Sequence, residues 1–578
     1  MVGLSRDEIF PEKDLPTGHD LLVDGAFAAS DWVVGQGAFQ RAYSVQNEID
    51  YKTAMMSEGR VMQHAHLGYR SLERTLDAIK SIHTTCSQKG ARVDRIGLCL
   101  DWSMGYPQGE REKGMRGTGV LLNRAEDFSL LTEAAPIALH FGDFMLGFPG
   151  AFENTKYALA AGATTIGNLG QYFTFRLPGD SDDIRATQET VRALGLIAAQ
   201  KVPVLVHSNL DDGFAAVFHD LTSAIGCAIV ERRIIVDLIG APYAVCYGHH
   251  FTEPVTRMAF QRAIGEVNKG TPGSQVYGAT VLYRGEAAEN YASLSSYLLS
   301  DVVGQITGPT GHAVNPVPVT ENKRIPDIDE IIDAQLFLHR MSELAPGYVP
   351  ILNTELVDET AQKLYKGGHQ FAEALWCGFQ EMGINIDDPF EVLLAMRRIG
   401  GRRLEQSFGV AQVSQKVPAT TFIHLQEHAD KILNAPEGQI LRSFGKKGLC
   451  VLLAASDVHE HGKELLRMVF DGAGITCVDG GVSAEPDDLA KLAVEVDAIA
   501  ISTYNGVALT FANRLSNALA EKGISVPVFF GGRLNQVPED SNSSLPVDVE
   551  PDLRAKGILT CKDVSEFASE IQKWFGRT

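Results

Sequence analysis

The chain has 578 residues, 45% of them apolar and 21% charged, and a net charge of −21. That length exceeds what one hydrophobic core serves, so two or three domains are expected. The acidic balance argues against a phosphate-neutralising surface, so no nucleic acid partner is expected, and no apolar run approaches the roughly 20 residues that span a bilayer.

Met1–Pro16 is polar and acidic, unlike a secretory leader. The eight cysteines, at 86, 99, 227, 246, 377, 450, 477 and 561, are scattered, with no Cys-x-x-Cys pair. Their spacing points to reduced thiols in a cytoplasmic protein, not to a disulfide frame, a zinc site or an iron–sulfur site.

Residues 1–90 are mostly helical in pattern, as at Gly68–Cys86, and are expected to form an N-terminal helical extension. Within them, Gly35-Gln36-Gly37 is too short a signal for a dinucleotide site. His64-Ala65-His66 places two imidazoles on one face of a strand, but a metal there needs further ligands. From Arg95, short apolar runs alternate with helical stretches. Arg95–Leu100, Asp143–Phe148, Ala163–Gly167, Val202–His207, Tyr243–Gly248 and Gln275–Tyr283 have the pattern of buried parallel strands, and Ala186–Gln200, Leu210–Ile225 and Pro254–Asn268 that of helices. Such alternation implies a parallel α/β barrel or a doubly wound sheet. Length favours the barrel, since eight units take about 250 residues. We place this catalytic unit, with a helical tail over Asp327–Phe408, at 91–408, followed by a linker at 409–445.

A second alternation fills 446–578. Strands are predicted at Cys450–Ala455, Thr476–Asp479, Ala498–Ser502, Val526–Phe530 and near Ile558–Thr560, with helices between them. That is a five-stranded doubly wound, Rossmann-like (flavodoxin-like) domain, whose ligands sit beyond the carboxyl ends of the strands. The informative residues lie at those ends. After the first strand comes Ser456-Asp457-Val458-His459-Glu460-His461-Gly462, the pattern Asp-x-His-x-x-Gly. A neutral imidazole is a good metal donor, and a carboxylate two residues earlier can accept its other N–H and fix the tautomer. A glycine three residues on lets the next helix approach a bulky group. Ser502 ends the third strand, followed by Tyr504, and Gly531-Gly532 ends the fourth. The alternative for His459 is a hydrogen-bonded loop histidine; His461 lies outside the motif position.

These residues resemble the signature of base-off, His-on cobalamin-binding domains. The resemblance implies that His459 replaces the cofactor's own benzimidazole as lower ligand of cobalt. It also implies that Asp457 and Gly462 support that ligand, and that Ser502, Gly531 and Gly532 make room for the nucleotide tail. The family carries Ser-x-Leu where this chain has Ser502-Thr503-Tyr504, a departure that bears on the tail pocket.

The larger unit resembles the catalytic subunit of glutamate mutase (methylaspartate mutase) in Leu146-Gly147-Phe148-Pro149-Gly150, in Ala161-Gly162-Ala163-Thr164-Thr165 with glycines 167 and 170, and in Pro309–Pro318 with Glu321-Asn322. The two runs of chain, separate subunits in that family, look fused here. The resemblance implies a TIM-like (β/α)8 barrel and an adenosylcobalamin-dependent carbon-skeleton mutase, with cobalamin between barrel mouth and strand ends. Departures bear on the substrate. No acid lies between Gly162 and Arg176, where the family holds the substrate amine, and Leu98-Cys99-Leu100-Asp101 stands where it has an arginine clamp. Glutamate is therefore not the expected substrate; a related small acid or less charged molecule is.

Pocket residues are expected at strand ends. Asp101, Asn168, Arg176, His207, Asn209, Tyr247, His249, His250, Arg284 and His312 follow or end predicted strands; His312 is the preferred adenosyl or substrate contact by its matching position, and Asn168, Arg176, His207, His249 and Asp101 are the other candidates. Each has the alternative of a rim residue without a chemical role. Arg116, in a glycine-rich loop, is either a lid residue or solvated. The alternatives to a mutase are a cobalamin-dependent methyltransferase or corrinoid carrier, and a cobalamin sensor. The absence of a Cys-x-x-x-Cys-x-x-Cys run disfavours a radical S-adenosylmethionine enzyme. No lysine stands out for pyridoxal phosphate, and a homodimer is the expected assembly.

Overall fold

A computed structural model describes residues 4–30, 32–114, 116–117, 119–170, 172, 176–177, 179–210, 218–279, 283, 285–457, 460–504, 506–537 and 546–575. The chain forms two compact units. The first comprises 1–174, 181–212 and 218–419; the second comprises 420–578 with the short segments 175–180 and 213–217. Among the described residues no helix is long and apolar enough to cross a membrane.

The first unit is built from strand–helix repeats. Strands β1 (His64–Leu67), β2 (Arg95–Leu98), β3 (Ala138–Phe141), β4 (Thr165–Ile166), β5 (Leu205–Asn209) and β6 (Tyr243–Cys246) form a parallel sheet in sequential order, an open half-barrel. Strands β7 (Gln275–Val276) and β8 (Ala313–Val314) pair in parallel as a separate two-stranded sheet. Single parallel bridges join Tyr247 to Val276 and Gln63 to Val314. A helix lies between each pair of consecutive strands, the first over Leu72–Gln88 and the last over Ala287–Thr307. The first shows why such helices form. The Ser71 side chain accepts the Arg74 N–H at its start, and Thr75, Ala78, Ile79, Ile82 and Cys86 recur at three- and four-residue spacing to give one buried face. The sequential order has no switch point of the kind a doubly wound sheet requires.

Two expectations are corrected here. The stretch 1–90 is not helical throughout, because His64–Leu67 is a strand in register with Arg95–Leu98. Asp143–Phe148 is not a strand; the strand is Ala138–Phe141, and the apolar run that follows is a buried turn in which Phe144 and Gly147 take φ of 59° and 88°.

The interior of this unit is polar at several strand positions. Arg95 Nε donates to Glu48 Oε1 at 2.9 Å, and Arg95 also reaches Gln275. Lys52 Nζ donates to the carbonyls of Ser274 (2.8 Å) and Gly311 (2.9 Å). Burial disfavours a charged Glu48, but Arg95 and Lys52 bring its carboxyl below the ordinary value. A second buried acid has no such cation. Glu231 accepts hydrogen bonds from the hydroxyls of Tyr172 (2.7 Å) and Tyr243, and burial pushes its carboxyl up to about 7 from 4.5. The folded state therefore holds a proton that the unfolded chain releases. The resulting stabilisation is complete below pH 4.5, and about 3 kcal/mol of it is lost as pH rises through 7. Glu231→Gln is expected to flatten the stability profile across that window, read by denaturant titration at several pH values. A slope equal to the wild type's would contradict the assignment.

In the second unit, β9 (Cys450–Ala455), β10 (Thr476–Asp479), β11 (Ala498–Thr503), β12 (Val528–Gly532) and β15 (Leu559–Cys561) form a parallel sheet in the order β10-β9-β11-β12-β15; β13 (Asn535–Gln536) and β14 (Val547–Asp548) make a small antiparallel pair. This is the doubly wound, Rossmann-like arrangement, with the order reversing between β9 and β11. Of the residues read as linker, Thr420–Asn434 and Pro436–Gly445 are helices. Their Leu425, Ala429, Leu433, Leu441 and Phe444 join the core that contains Val451, Val469 and Phe567.

Candidate functional site

The carboxyl ends of β9, β11 and β12 bring the motif residues of the second unit together. Asp457, buried two residues beyond β9, accepts the Tyr504 N–H on Oδ2 at 2.8 Å and the Ser456 hydroxyl at 3.2 Å. The Ser456 N–H donates to the Ser502 carbonyl at 2.9 Å, tying the end of β9 to that of β11. The carboxylate is thus fixed by both strands before any ligand is considered. Val458 and His459 lie outside the described residues.

Gly462 opens the helix His461–Ala473 and is where the motif's spacing acts. A Cβ there would stand 2.5 Å from Ser502 Oγ. A side chain there would require the Ser502 hydroxyl to turn away or the helix to shift, so Asp-x-His-x-x-Gly and the serine forty residues later meet in space. Ser502 is opposite Gly531 and Thr503 opposite Gly532 in the register of β11 with β12. Gly532 has φ of 94°, and a Cβ on it would lie 2.3 Å from the Thr503 carbonyl oxygen, so glycine is required there twice over. A cradle that a Cβ would fill, and a pair of glycines at the next strand end, are what a bulky planar ligand with a threaded tail needs. Tyr504 is 40% exposed at the rim, with the Arg533 guanidinium 4.2 Å over its ring. Lys463, nearly buried, pairs with Asp479 at 2.8 Å and so ties the helix to the end of β10. The site residues that sequence reasoning missed are Ser456, which fastens the loop, and Arg533, which holds Tyr504.

Gly462→Ala is expected to weaken ligand binding at least tenfold through this collision. Adding Ser502→Ala, which removes Oγ and leaves Cβ 3.6 Å away, is expected to recover most of the loss. Titration of the two variants and the double variant with cobalamin checks this; equal weakening with and without Ser502→Ala would contradict it.

In the first unit the described candidates are each tied to neighbouring strands and loops. Asp101 is fully buried, and its carboxylate accepts the Ser103 N–H (3.0 Å), Ser103 hydroxyl (2.5 Å), Arg116 Nε (3.0 Å) and Gly117 N–H (3.0 Å). Those bonds fasten the glycine-rich loop. Asn168 Oδ1 accepts the Asn209 N–H at 2.7 Å, joining the segments after β4 and β5. His207 faces inward on β5, with Nδ1 2.6 Å from Ser274 Oγ and its ring 4.4 Å from that of His140. His312 precedes β8 rather than following a strand. Its Nδ1 lies 2.7 Å from Thr310 Oγ1, its Nε2 3.1 Å from the Val245 carbonyl, and burial lowers its pKa to about 3. His249, beyond β6, stacks at 4.0 Å on Tyr277, and burial keeps its imidazole neutral well below its ordinary pKa. His250 is buried and Tyr247 packs its ring 5.0 Å from His312; Arg176, in the short segment 175–180 grouped with the second unit, is exposed. Arg284 lies outside the described residues.

An ion pair between helices was not legible in the sequence. Arg257 Nε and Nη2 donate to Asp301 Oδ1 and Oδ2 at 2.7 and 2.6 Å, while Nη1 and Nη2 also reach the carbonyls of Gly248 (2.7 Å), Phe251 (2.9 Å) and Tyr277 (2.6 Å). One guanidinium thus holds the loops that follow β6 and β7, including the loop that carries His249.

Residues 449–549 match the family model for a B12 binding domain. The class defined by fold and strand-end geometry is therefore a protein with a B12-binding Rossmann-like domain near its C-terminus, and a cobalamin cofactor is implied. Among solved structures, a cobalamin-binding protein from Desulfitobacterium hafniense DCB-2 is similar at 17% identity, over 27% of this chain and 77% of that one, with a TM-score of 0.19. A dihydrodipicolinate synthase from Agrobacterium tumefaciens is similar at 11% identity, over 59% of this chain and 99% of that one, with a TM-score of 0.29. At these scores neither likeness carries the argument. No curated protein matches the chain.

Proposed function

We propose that this protein is an adenosylcobalamin-dependent mutase that rearranges the carbon skeleton of a small acid or related metabolite other than glutamate. The observation that carries the cofactor assignment is the contact of Gly462 with Ser502 beside the buried Asp457, inside a segment that matches a B12 binding domain. His459 is the proposed lower ligand of cobalt. Asp457, whose Oδ2 accepts the Tyr504 N–H, is the proposed acceptor of the other N–H of that imidazole. Ser502, Tyr504, Gly531 and Gly532 are the proposed walls of the tail groove.

The catalytic unit is proposed to be a closed (β/α)8 barrel. The sequential parallel order of β1–β6, and the bridges from β6 to β7 and from β8 to the start of β1, support closure. A closed barrel suits chemistry that must exclude solvent. Adenosylcobalamin, if bound there, would supply carbon-radical chemistry, and the protein's own part would be position, shielding and charge. His312 is the proposed adenosyl or substrate contact, with Asn168, His207, His249 and Asp101 the other proposed site residues of this unit; Asp101 also holds the loop of Arg116. A homodimer is the proposed assembly.

The test is to mix the full chain with adenosylcobalamin and a panel of small dicarboxylic, amino and hydroxy acids, and to record electron spin resonance. A cobalt(II)–radical signal that appears only with one class of acid supports the mutase. Turnover with methylcobalamin and a methyl acceptor, and no radical with any acid, would replace it with methyl transfer.

A further inference from the structure

Among the described residues, one set of three side chains has the composition and spacing of a metal site. His66, Cys99 and Asp143 each offer one donor atom, and the three atoms lie within 4.8 Å of one another. A tetrahedral zinc ion holds its ligands roughly 3–4 Å apart, so small rotations close the set. The local geometry follows from the strands. His66 lies on β1 opposite Gly97 of β2, and Cys99 lies two residues beyond Gly97, on the same face. Gly97 has no side chain to separate them; a Cβ there would stand 2.6 Å from His66 Nδ1. His66 Nε2 therefore reaches Cys99 Sγ at 3.0 Å. Asp143 enters from the turn after β3, the next strand of the sheet.

We propose that His66, Cys99 and Asp143 bind a zinc ion at the carboxyl ends of β1, β2 and β3. The donor set, one imidazole, one thiolate and one carboxylate, is the mixed borderline-soft set that suits zinc rather than calcium or magnesium. Three protein ligands leave the fourth position open to water or to a carboxylate or thiolate of a small ligand, as in catalytic rather than structural zinc sites. Arg95 below the site is already paired with Glu48 at 2.9 Å. Cysteine spacing points away from such a site because its ligands come from three strands rather than one Cys-rich loop.

The experiment uses the full chain, stripped with a chelator and dialysed against zinc. Metal content is measured by mass spectrometry, and alkylation of individual cysteines by iodoacetamide is mapped on peptides. The expected result is one equivalent of zinc and slowed alkylation of Cys99, with Cys377, which is exposed, reacting at the same rate with and without metal. Cys99→Ser and Asp143→Asn are each expected to weaken zinc at least tenfold while cobalamin titrates as in the wild type. The protection of Cys99 in the wild type is read without any variant, so a variant that fails to fold does not blunt the test. Zinc that leaves Cys99 alkylation unchanged, or a wild type that retains none, would overturn the proposal; cobalamin binding is a separate readout, so either result leaves the proposed function to its own test.

Discussion

Replacement of His459 by alanine is expected to lower cobalamin affinity by more than about a hundredfold. Loss of a partner that merely supports a metal ligand costs about 10–100-fold, and His459 is the proposed ligand itself. The surroundings sharpen the expectation. Asp457 is anchored by the backbone of Tyr504 and by Ser456, so it cannot swing to replace a missing imidazole. His461 begins the helix and stands at a variable position of Asp-x-His-x-x-Gly rather than at its histidine position, so it is no substitute. Asp457→Asn, which keeps the bond from the Tyr504 N–H through its carbonyl, should fall between wild type and His459→Ala. Equilibrium titration of the three proteins orders the effects. An alanine variant within a few-fold of the wild type would remove the histidine from the cobalt.

The second large effect concerns stability. Arg257 and Asp301 are both buried, with side-chain exposures of 0% and 2%. Breaking such a pair leaves one buried charge uncompensated and typically costs 3–5 kcal/mol. Arg257→Met also frees the carbonyls of Gly248, Phe251 and Tyr277, so the upper part of that range is expected, about 5 kcal/mol. The unfolding transition of the first unit should fall by roughly 5 °C while that of the second stays in place. Arg257→Met combined with Asp301→Leu should regain much of the loss, because no bare charge then remains. Calorimetry on the full chain distinguishes the two units. A single variant that melts as the wild type does would show that the pair is not what holds these loops.

The same polar interior explains what the sequence conceals. Strands β9 and β11 are legible because Val451–Ala455 and Ala498–Ile501 are uniformly apolar and buried on both faces. Strand β1 was read only as far as His64-Ala65-His66 and was not joined to the strand–helix alternation, because two of its four residues are histidines whose side chains face other polar groups. The β3 strand was displaced onto the next apolar run for a similar reason. His140 interrupts Ala138–Phe141, while Phe144, Met145 and Leu146 are buried in a turn that has no strand pairing. Arg95, His207 and Gln275 also put charge and amide into strands, but their apolar neighbours left those three strands legible. β7 is two residues within the longer run read as Gln275–Tyr283, and β8, also two residues, is too short for any pattern.

The candidate site was legible to different degrees for comparable reasons. Asp457, Gly462, Ser502 and the glycine pair 531–532 occur at regular strand-end intervals, so a doubly wound pattern and one motif suffice to collect them. His66, Cys99 and Asp143 share no motif; only the register of β1, β2 and β3 brings them within reach. His312 was placed by likeness to a neighbouring run of residues, and its ring is engaged at both nitrogens before β8 begins. Arg257 and Asp301 are 44 positions apart on different helices, a separation at which sequence carries no pairing signal.

The most direct test of the account is electron spin resonance of the full chain with cobalamin reduced to cobalt(II), using protein labelled with nitrogen-15 at histidine. The account predicts that the nitrogen splitting on cobalt changes with the histidine label and disappears in His459→Ala. Splitting that follows a label in the cofactor's own benzimidazole, and ignores the histidine label, would contradict it.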